Sequence, residues 1–486
     1  MLKAVLRDSL VYGLASVLSK GLAIFLLPLY TRVLSPGDYG AYDLLITLGA
    51  LANLAVALEI SQGLARHWAD TAEQGARVRL ASTSLWFTVL MYGIFLLCGL
   101  LAAPQLNALI LGRESYLDAF RLGVGFIAAN GVYYLLLNQF RWELRSKAYA
   151  LVSFIYALLT LLFAATFCLL LDMGLSGVML AQLLAASCSS LLCLWLLRGT
   201  FGFAFDLRQL AAMLRFSAPL VPAGLAVFVS LYMNRFALSH FTSLEEVGLY
   251  GIGSRVAGLS TLLILGVQAA LTPLVYQHYR DAETPAQIAR LFGWFMAVAL
   301  AGCLFLALFA RELLTLFATP EYMVGAALVA VLAPALLLSQ MYIFAPGIAI
   351  AKKTQWQLWV TLLSAAVSGV ANWLLVPLWG IWGAAVSTLL ASLVFFLSWL
   401  WLSQRLYRIP YAWRGCALAL AVFVGCALLG AEVDEAGLTM LLALLLKSVL
   451  LLGLLVMVVA AGLLPVTDLR ALLVQLRRRF GASPRV

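Results

Sequence analysis

The chain has 486 residues, of which 64% are hydrophobic and only 11% are charged, and its mean hydropathy is +1.02. Since soluble domains carry about 25% charged residues, this composition excludes a soluble globular protein and indicates a polytopic helical membrane protein. The net charge of +10 does not indicate nucleic-acid binding, because the basic residues lie in short loops between apolar runs.

Apolar runs that are long enough to cross a bilayer recur along the whole chain. They predict fourteen transmembrane helices, at roughly 10–33, 39–63, 80–103, 117–140, 149–171, 175–197, 211–238, 246–273, 289–310, 323–350, 356–378, 380–403, 414–431 and 438–463. The first run is too long for a cleaved signal peptide, so we expect it to be part of the fold. The connecting loops are short, which leaves no room for an extramembrane catalytic domain and predicts that the protein is not an enzyme.

The basic residues favour one side of this arrangement. Of the 31 Lys and Arg residues, 23 fall in loops on the side of the N-terminus and four fall in loops on the opposite side. Because positive loops stay in the cytoplasm, both termini are predicted to be cytoplasmic.

The polar turn between the first two spans recurs later in the chain. Residues 243–250 align with residues 35–42 at a constant offset of 208, which pairs Ser with Ser, Glu246 with Asp38, Gly248 with Gly40 and Tyr250 with Tyr42. Such a repeat is typical of transporters built from two homologous halves, whose binding site lies at the repeat interface.

Two further anchors support the same repeat. Residues 145–149 align with 352–356 at an offset of 207, and residues 174–178 align with 380–384 at an offset of 206. The three anchors predict two six-helix lobes, related by a pseudo-two-fold axis along the membrane normal, and two extra C-terminal helices. The predicted boundaries are 1–200 for the N-lobe, 201–410 for the C-lobe and 411–486 for the appended helices and a basic cytoplasmic tail.

Ionisable side chains within spans are costly in lipid and mark functional sites. The candidates are Lys20, Glu59, Arg235, Arg255 and Lys447. The first four lie in the two copies of the repeated hairpin. Because the cations outnumber the carboxylates there, the pattern favours an anionic substrate such as a phosphate or a diphosphate.

Two polar helix faces accompany these charges. Tyr12, Ser16 and Lys20 recur at four-residue spacing in the first span, and we expect this face to line a cavity. In the fourth span, residues 130, 134 and 138 repeat the spacing, and either hydrogen bonds between helices or a sugar-binding cavity explains them. The residues of that second face are Asn130, Tyr134 and Asn138.

Two of the charged residues leave alternatives open, and a third is set aside. Arg235 lies near the outer end of its span. Snorkelling or a structural hydrogen bond explains its position as well as a role in substrate binding does. Glu59 is either the carboxylate that couples transport to H⁺ or Na⁺ or the partner of a neighbouring cation. Lys447 lies in the appended pair of helices and is not expected to line a substrate pathway.

No metal or cofactor site is predicted. The seven cysteines lie in apolar runs without CxxC spacing, and the three histidines are far apart in sequence. Apart from a coupling ion at Glu59, the sequence therefore predicts no cofactor.

Three segments resemble one known family. Asp8-Ser-Leu-Val-Tyr-Gly13, the turn at 32–42 and residues 246–255 are similar to the polysaccharide transporter family, the Wzx-like flippases of the multidrug/oligosaccharidyl-lipid/polysaccharide exporter superfamily. The resemblance covers the whole chain. It implies two six-helix lobes in a V shape around a central cavity that is lined by spans 1, 2, 7 and 8.

The resemblance also implies a function. Such proteins carry undecaprenyl-diphosphate-linked oligosaccharide from the inner to the outer leaflet of a bacterial inner membrane, by alternating access. Here Lys20, Arg255 and Arg235 would bind the diphosphate, and the partners would be membrane lipids and the polysaccharide polymerase or export machinery. Two alternatives stay open, a MATE-like ion-coupled exporter of small molecules and a flippase for the peptidoglycan precursor lipid II.

Overall fold

The computed structural model describes residues 26–264, 267–268, 271, 275 and 278–463. Within these ranges the chain forms helices and connecting turns, with no β-strand, which confirms the all-α class. Tyr12, Ser16 and Lys20, three of the predicted site residues, lie outside the described residues.

Eighteen helices are labelled here in chain order. The first nine are α1 (Pro36–Ala55), α2 (Ile60–Asp70), α3 (Gln74–Leu101), α4 (Ala103–Ile110), α5 (Leu117–Trp142), α6 (Ser146–Ala165), α7 (Gly174–Leu196), α8 (Leu207–Ser217) and α9 (Leu220–Phe241). The others are α10 (Leu244–Gly258), α11 (Thr284–Leu308), α12 (Ala310–Phe317), α13 (Val324–Ala327), α14 (Val329–Leu338), α15 (Gly347–Ile350), α16 (Thr354–Leu406), α17 (Trp413–Glu435) and α18 (Met440–Ala460). A helical segment at 26–33 precedes α1.

Ten described helices are long and apolar enough to cross a bilayer, and twelve if each of two bent pairs counts as one span. The count of fourteen predicted from the sequence is therefore not confirmed by the described residues. Most of the predicted span at 10–33 lies outside them, and α16 unites the predicted spans 356–378 and 380–403 across a break at Gly380. At 1.5 Å per residue, 53 helical residues would reach about 80 Å, far more than a bilayer needs.

The chain divides into two compact units. One consists of the described parts of Met1–Gly251 together with Thr315–Tyr322 and Ala365–Ser387, and the other consists of the remaining described residues. The first unit contains α1 to α9 and most of the repeated turn motifs. The lobe boundaries at 200 and 410 remain predictions from the sequence repeat.

The core of the first unit is built around α5, which packs against α3 and α7. A buried chain of polar side chains joins α1, α6 and α7 within this core. The Tyr156 hydroxyl donates to Gln182 Oε1 at 3.2 Å, and Gln182 Nε2 donates to the Tyr42 hydroxyl at 3.4 Å. These hydrogen bonds satisfy a glutamine amide that would otherwise be costly in an apolar interior.

In the second unit, Lys447 explains how the last two helices are attached. Its side chain is 0% exposed, and its ammonium lies 2.6 Å from Glu312 Oε1 and 2.7 Å from Asp434 Oδ1. Arg311 also donates to the carbonyl of Asp434 at 3.0 Å. Lys447 on α18 is thus joined to α12 and α17 by buried ion pairs, with no solvent contact of its own.

Backbone angles match at two pairs of positions, one that the predicted repeat aligns and one that it misses by a single residue. Gly174 and Gly380, which the repeat aligns, both have φ +53°. Leu144 and Lys352 both have φ +56°, and each lies two residues before a helix start. This second match shifts the sequence alignment by one residue, because the alignment had paired Arg145 with Lys352.

Candidate functional site

The two repeated turns start helices in the same way. Ser35 caps α1, where its hydroxyl accepts from the backbone N–H of Asp38 at 3.2 Å and the Asp38 carboxylate accepts from the Ser35 N–H. At the second turn the backbone N–H of Glu246 donates to Ser243 Oγ at 3.3 Å. Ser with an acidic residue three positions later is the sequence pattern of a capping box, both of whose hydrogen bonds are present at Ser35, so the sequence favours both helix starts.

The two helices cross in direct backbone contact at the aligned glycines. A Cβ added to Gly40 would lie 1.9 Å from the carbonyl oxygen of Leu244, and one added to Gly248 would lie 2.0 Å from that of Pro36. The contact is reciprocal, since Leu244 follows Pro36 by the same offset of 208 that relates the glycines. Only glycine permits such an approach.

Polar side chains join the two turns at their exposed end. Arg113 donates to Glu245 Oε1 at 2.7 Å and to the Tyr116 hydroxyl at 3.4 Å, and that hydroxyl donates to Asp38 Oδ1 at 2.8 Å. The hydrogen bond to Glu245 raises the pKa of Arg113 further above its usual value. Both partners of this ion pair are about half exposed, which limits its contribution to stability.

A buried ion pair lies two turns of helix further into α1. Asp43 Oδ2 accepts from Arg235 Nε at 2.7 Å, and the two side chains are only 7% and 12% exposed. Asp43 lies on α1 and Arg235 on α9, so the pair joins the first copy of the repeat to the second. The repeat aligns Asp43 with Gly251, where an added Cβ would come within 3.1 Å of the same carboxylate oxygen.

Aromatic rings flank the guanidinium of this pair. Its Cζ lies 5.3 Å from the ring centre of Tyr232 and 5.6 Å from that of Tyr250, within the range of a cation–π interaction. Asn234 donates to the Tyr250 hydroxyl and fixes that ring. The structure therefore holds Arg235 inside the protein with a carboxylate partner, and it does not snorkel towards the end of its helix.

Asp43 is not among the site residues predicted from the sequence. It lies inside the predicted span 39–63, directly after Tyr42, and a carboxylate within a span is the signal that should have drawn attention to it. Its partner could not be predicted, because Arg235 is 192 residues away.

Glu59 lies where a membrane helix is interrupted. Leu58 and Glu59 have φ angles of +50° and +53°, and α1 and α2 meet there at a bend of 43°. Glu59 is half-buried. Interrupted membrane helices expose backbone groups and commonly form ion and substrate sites.

Tyr92 on α3 stabilises this interruption. Its hydroxyl lies 3.0 Å from Asn53 Oδ1 and 3.3 Å from the carbonyl oxygen of Ala52, in the last turn of α1. The ring passes over Gly131, where an added Cβ would lie 1.9 Å from Tyr92 Cζ. A side chain from another helix thus supports the last turn of α1 next to Glu59.

Of the three residues of the predicted polar face of α5, one makes its hydrogen bonds within the helix and two are at least partly exposed. Asn138 is buried, donates to the carbonyl of Tyr134 at 3.0 Å and accepts from Arg141 at 3.3 Å. The Tyr134 side chain is 41% exposed, and Asn130 is partly exposed.

Arg255, from the second hairpin, is partly buried in the last turn of α10.

Among the described residues, no group of three or more His, Cys, Asp or Glu side chains is placed to hold a metal ion. The clustered polar groups are instead ion pairs, tyrosine hydroxyls and amides within the membrane. Such an arrangement can bind a charged or hydrogen-bonding solute.

Comparison with solved structures defines the class of fold. The lipid II flippase MurJ in an inward closed conformation aligns with a TM-score of 0.72 over 92% of this chain and 98% of that one, at 11% identity. An inward-facing multidrug resistance MATE family transporter of the MOP superfamily aligns with a TM-score of 0.64 over 79% of this chain and 95% of that one, at 19% identity. The chain therefore has the fold of the MOP exporter superfamily.

Sequence comparison identifies the family. The model of the polysaccharide biosynthesis protein family matches residues 5–278, more than half of the chain, and the chain belongs to this family. The succinoglycan biosynthesis transport protein ExoT of Rhizobium meliloti is 28% identical over 306 residues, which are 60% of this chain. The match spans 58% of the length of that curated relative.

Proposed function

We propose that the protein is a flippase that moves a polyprenyl-diphosphate-linked oligosaccharide, such as an O-antigen or exopolysaccharide repeat unit, across a bacterial inner membrane by alternating access. Its family and fold are those of multi-pass polysaccharide-biosynthesis transporters. The observation that carries the finer proposal is the buried guanidinium of Arg235, which two tyrosine rings flank and one carboxylate neutralises.

Arg235 is suited to a diphosphate because its planar guanidinium donates two parallel hydrogen bonds to phosphate oxygens. In the structure Asp43 binds Nε of this group. An incoming diphosphate therefore competes with Asp43, and the displaced carboxylate takes up a proton or a cation. Substrate entry and ion uptake are coupled in this way through one ion pair.

The other predicted site residues complete the proposal. Lys20 and Arg255 supply further positive charge for the diphosphate, and Glu59 at the helix interruption is the second candidate for H⁺ or Na⁺ coupling. Hydrogen bonds to the sugars come from Tyr12, Ser16, Asn130, Tyr134 and Asn138. In this proposal the protein is a transporter and not an enzyme, as its family and fold suggest.

The proposed setting follows from the charge distribution and the family. Both termini face the cytoplasm, the substrate is an undecaprenyl-diphosphate-linked glycan, and the partners are membrane lipids and the polysaccharide polymerase or export machinery. Nucleic acid is not a partner.

Two alternatives share the fold. The similarity to MurJ, over 92% of this chain, favours a lipid II flippase as the second candidate. A MATE-like ion-coupled exporter of small molecules is the other, although the chain is matched by a polysaccharide biosynthesis family model.

The test is complementation in the bacterium that encodes the chain. Deletion should abolish the extracellular or surface polysaccharide and leave its lipid-linked repeat unit accumulated in the inner leaflet. Wild-type chain should restore export, whereas Arg235→Gln and the double variant Lys20→Ala with Arg255→Ala should be inserted but inactive. Normal polysaccharide in the deletion strain would contradict the proposal. Rescue of a MurJ-depleted strain, or altered drug resistance without a polysaccharide defect, would support an alternative instead.

A further inference from the structure

The second unit has a groove whose lining residues have no role in the proposed transport mechanism. It has a volume of about 730 Å³ and is lined mainly by apolar side chains from both arms of α16, with Trp413 from the start of α17. Trp356, Trp359 and Trp401 are among the lining residues, and they are 40%, 64% and 54% exposed. In a membrane-spanning hairpin, such exposed indoles face lipid.

The two arms of α16 run in opposite directions beside this groove. The chain reverses at Gly380, and Ser364 Oγ donates to the carbonyl of Ala391 at 3.0 Å. The start of the first arm, the end of the second arm and the start of α17 therefore lie at the same end of the groove. Tryptophan is enriched at the level of lipid headgroups, so this end is expected at a membrane surface.

The segment that forms this end of the groove carries only positive charges. Between Glu321 and Glu432 the sequence contains no acidic residue and five basic ones. The five are Lys352, Lys353, Arg405, Arg408 and Arg414, and all of them are exposed. Asp281 approaches Tyr407 from another loop, but its carboxylate is already 3.0 Å from His278 Nδ1.

Two local contacts hold this basic rim in place. The guanidinium carbon of Arg405 lies 3.6 Å from the ring centre of Trp401, a wall of the groove. The Gln404 side chain makes two hydrogen bonds of 2.9 Å to the backbone of Ile409, which fixes the loop that carries Arg408. A cation fixed beside an apolar groove matches an amphiphile with an anionic head and an apolar tail.

We propose that this groove is a binding site for an anionic glycerophospholipid, with an acyl chain between the tryptophans and the phosphate at the basic rim. Charge complementarity selects this occupant, because a zwitterionic headgroup would place its own cation against five basic residues. The side on which these loops lie is the one that the charge distribution predicts to be cytoplasmic, where anionic lipids attract basic segments. A lipid site here does not depend on the identity of the transported molecule.

The test is lipid retention by the full-length protein. Wild-type protein is purified from nanodiscs that contain phosphatidylglycerol and phosphatidylcholine in equal amounts, and bound lipid is counted by native mass spectrometry. We expect wild type to retain phosphatidylglycerol selectively, and each lost basic residue to lower that retention about fivefold. The double variant Lys353→Gln with Arg405→Gln should therefore lose most of it.

Two further variants separate the groove from surface charge in general. Arg198 also stacks on an exposed indole, 5.9 Å from Trp195, and Arg198→Gln is the matched control that should change nothing. Leu397→Trp fills the groove without changing any charge and should also lower retention. Equal retention of the two lipids, an equal loss in Arg198→Gln, or no effect of Leu397→Trp would overturn the proposal. Displacement of phosphatidylglycerol by an equal amount of undecaprenyl phosphate would also overturn it, because the occupant would then be a polyprenyl lipid.

Discussion

At the scale of single residues, two ion pairs near the repeated hairpin differ mainly in their burial. Asp43 and Arg235 are 7% and 12% exposed, whereas Glu245 and Arg113 are 45% and 50% exposed. Both have nitrogen-to-oxygen distances of 2.7 Å. Burial removes the charges from water, so losing one partner of the inner pair leaves an uncompensated charge in a poor solvent, while water and salt screen the outer pair.

The inner pair therefore gives a prediction for stability. Asp43→Asn or Arg235→Gln should each cost about 3–5 kcal/mol, because one buried charge loses its partner. The double variant should cost much less than the sum of the two, since no unpaired charge remains. Thermal unfolding in nanodiscs measures all three. Arg113→Gln is the control, with an expected loss of about 0–1 kcal/mol that shrinks further in high salt. Additive costs in the double variant would show that the two groups do not act as a pair.

At the scale of elements, glycines decide where helices cross or reverse. Gly40 and Gly248 let α1 and α10 touch backbone to backbone, and Gly380 adopts φ +53° and ψ −127° where α16 reverses. At Gly40 and Gly248 the lack of space excludes a larger side chain, whereas at Gly380 the backbone conformation favours glycine. The two causes lead to separate predictions.

Alanine at the crossing should push the helices apart. Gly40→Ala and Gly248→Ala each put a methyl group about 2 Å from a carbonyl oxygen. We therefore expect each to lower the free energy of unfolding by about 1–3 kcal/mol and to yield less folded protein. Gly93→Ala on α3 is the control, because an added Cβ there meets nothing within 4 Å. It should be neutral or stabilise its helix slightly. Size-exclusion yield and thermal stability provide the comparison, and wild-type stability of Gly40→Ala would contradict the close crossing.

Alanine at the two aligned reversal glycines should have unequal effects. Gly174→Ala and Gly380→Ala both impose a positive φ on alanine, which costs about 1–3 kcal/mol. At Gly380 the new Cβ would also lie 2.6 Å from Glu246 Oε2, whereas at Gly174 it meets nothing within 4 Å. Gly380→Ala should therefore be the less stable variant in thermal unfolding. If the order were reversed, crowding by Glu246 would not be the deciding cost.

At the scale of the whole molecule, α17 and α18 follow the part of the chain that the predicted internal repeat covers. Lys447 attaches them through Glu312 and Asp434, and its side chain is fully buried. The second unit also bears the tryptophan groove with its basic rim. Neither feature includes a residue of the proposed substrate site.

Attachment by Lys447 predicts a variant that loses stability but keeps its transport mechanism. Lys447→Met should cost about 3–5 kcal/mol, since two carboxylates lose their shared cation. Adding Glu312→Gln and Asp434→Asn to it should recover much of that loss. Thermal stability and polysaccharide export per folded molecule are the two measurements. A full loss of export by stable protein would place Lys447 in the substrate pathway.

Much of the fold was predictable from local sequence. Span positions follow from hydropathy, and the Ser-and-acid pattern at Ser35 and Ser243 is typical of helix starts. The offset of 208 makes Gly40 and Gly248 equivalent positions of the repeat, but only the structure shows that they touch. The predicted site was less complete. The cations stand out in apolar runs, but Asp43 is missing from the predicted site, and the break of α1 at Glu59 has no strong sequence signal.

The sequence by itself determined the class of protein, because hydropathy, short loops and repeated caps are local or periodic properties that a bilayer enforces on any chain. Only the tertiary structure decided which charges neutralise each other. The partner of a buried ion is chosen by packing between distant segments, and Asp43 with Arg235 and Lys447 with Glu312 are separated by 192 and 135 residues. It also decided that Arg235 is held inside the protein by a carboxylate, since burial and hydrogen bonding depend on neighbours that no local pattern specifies.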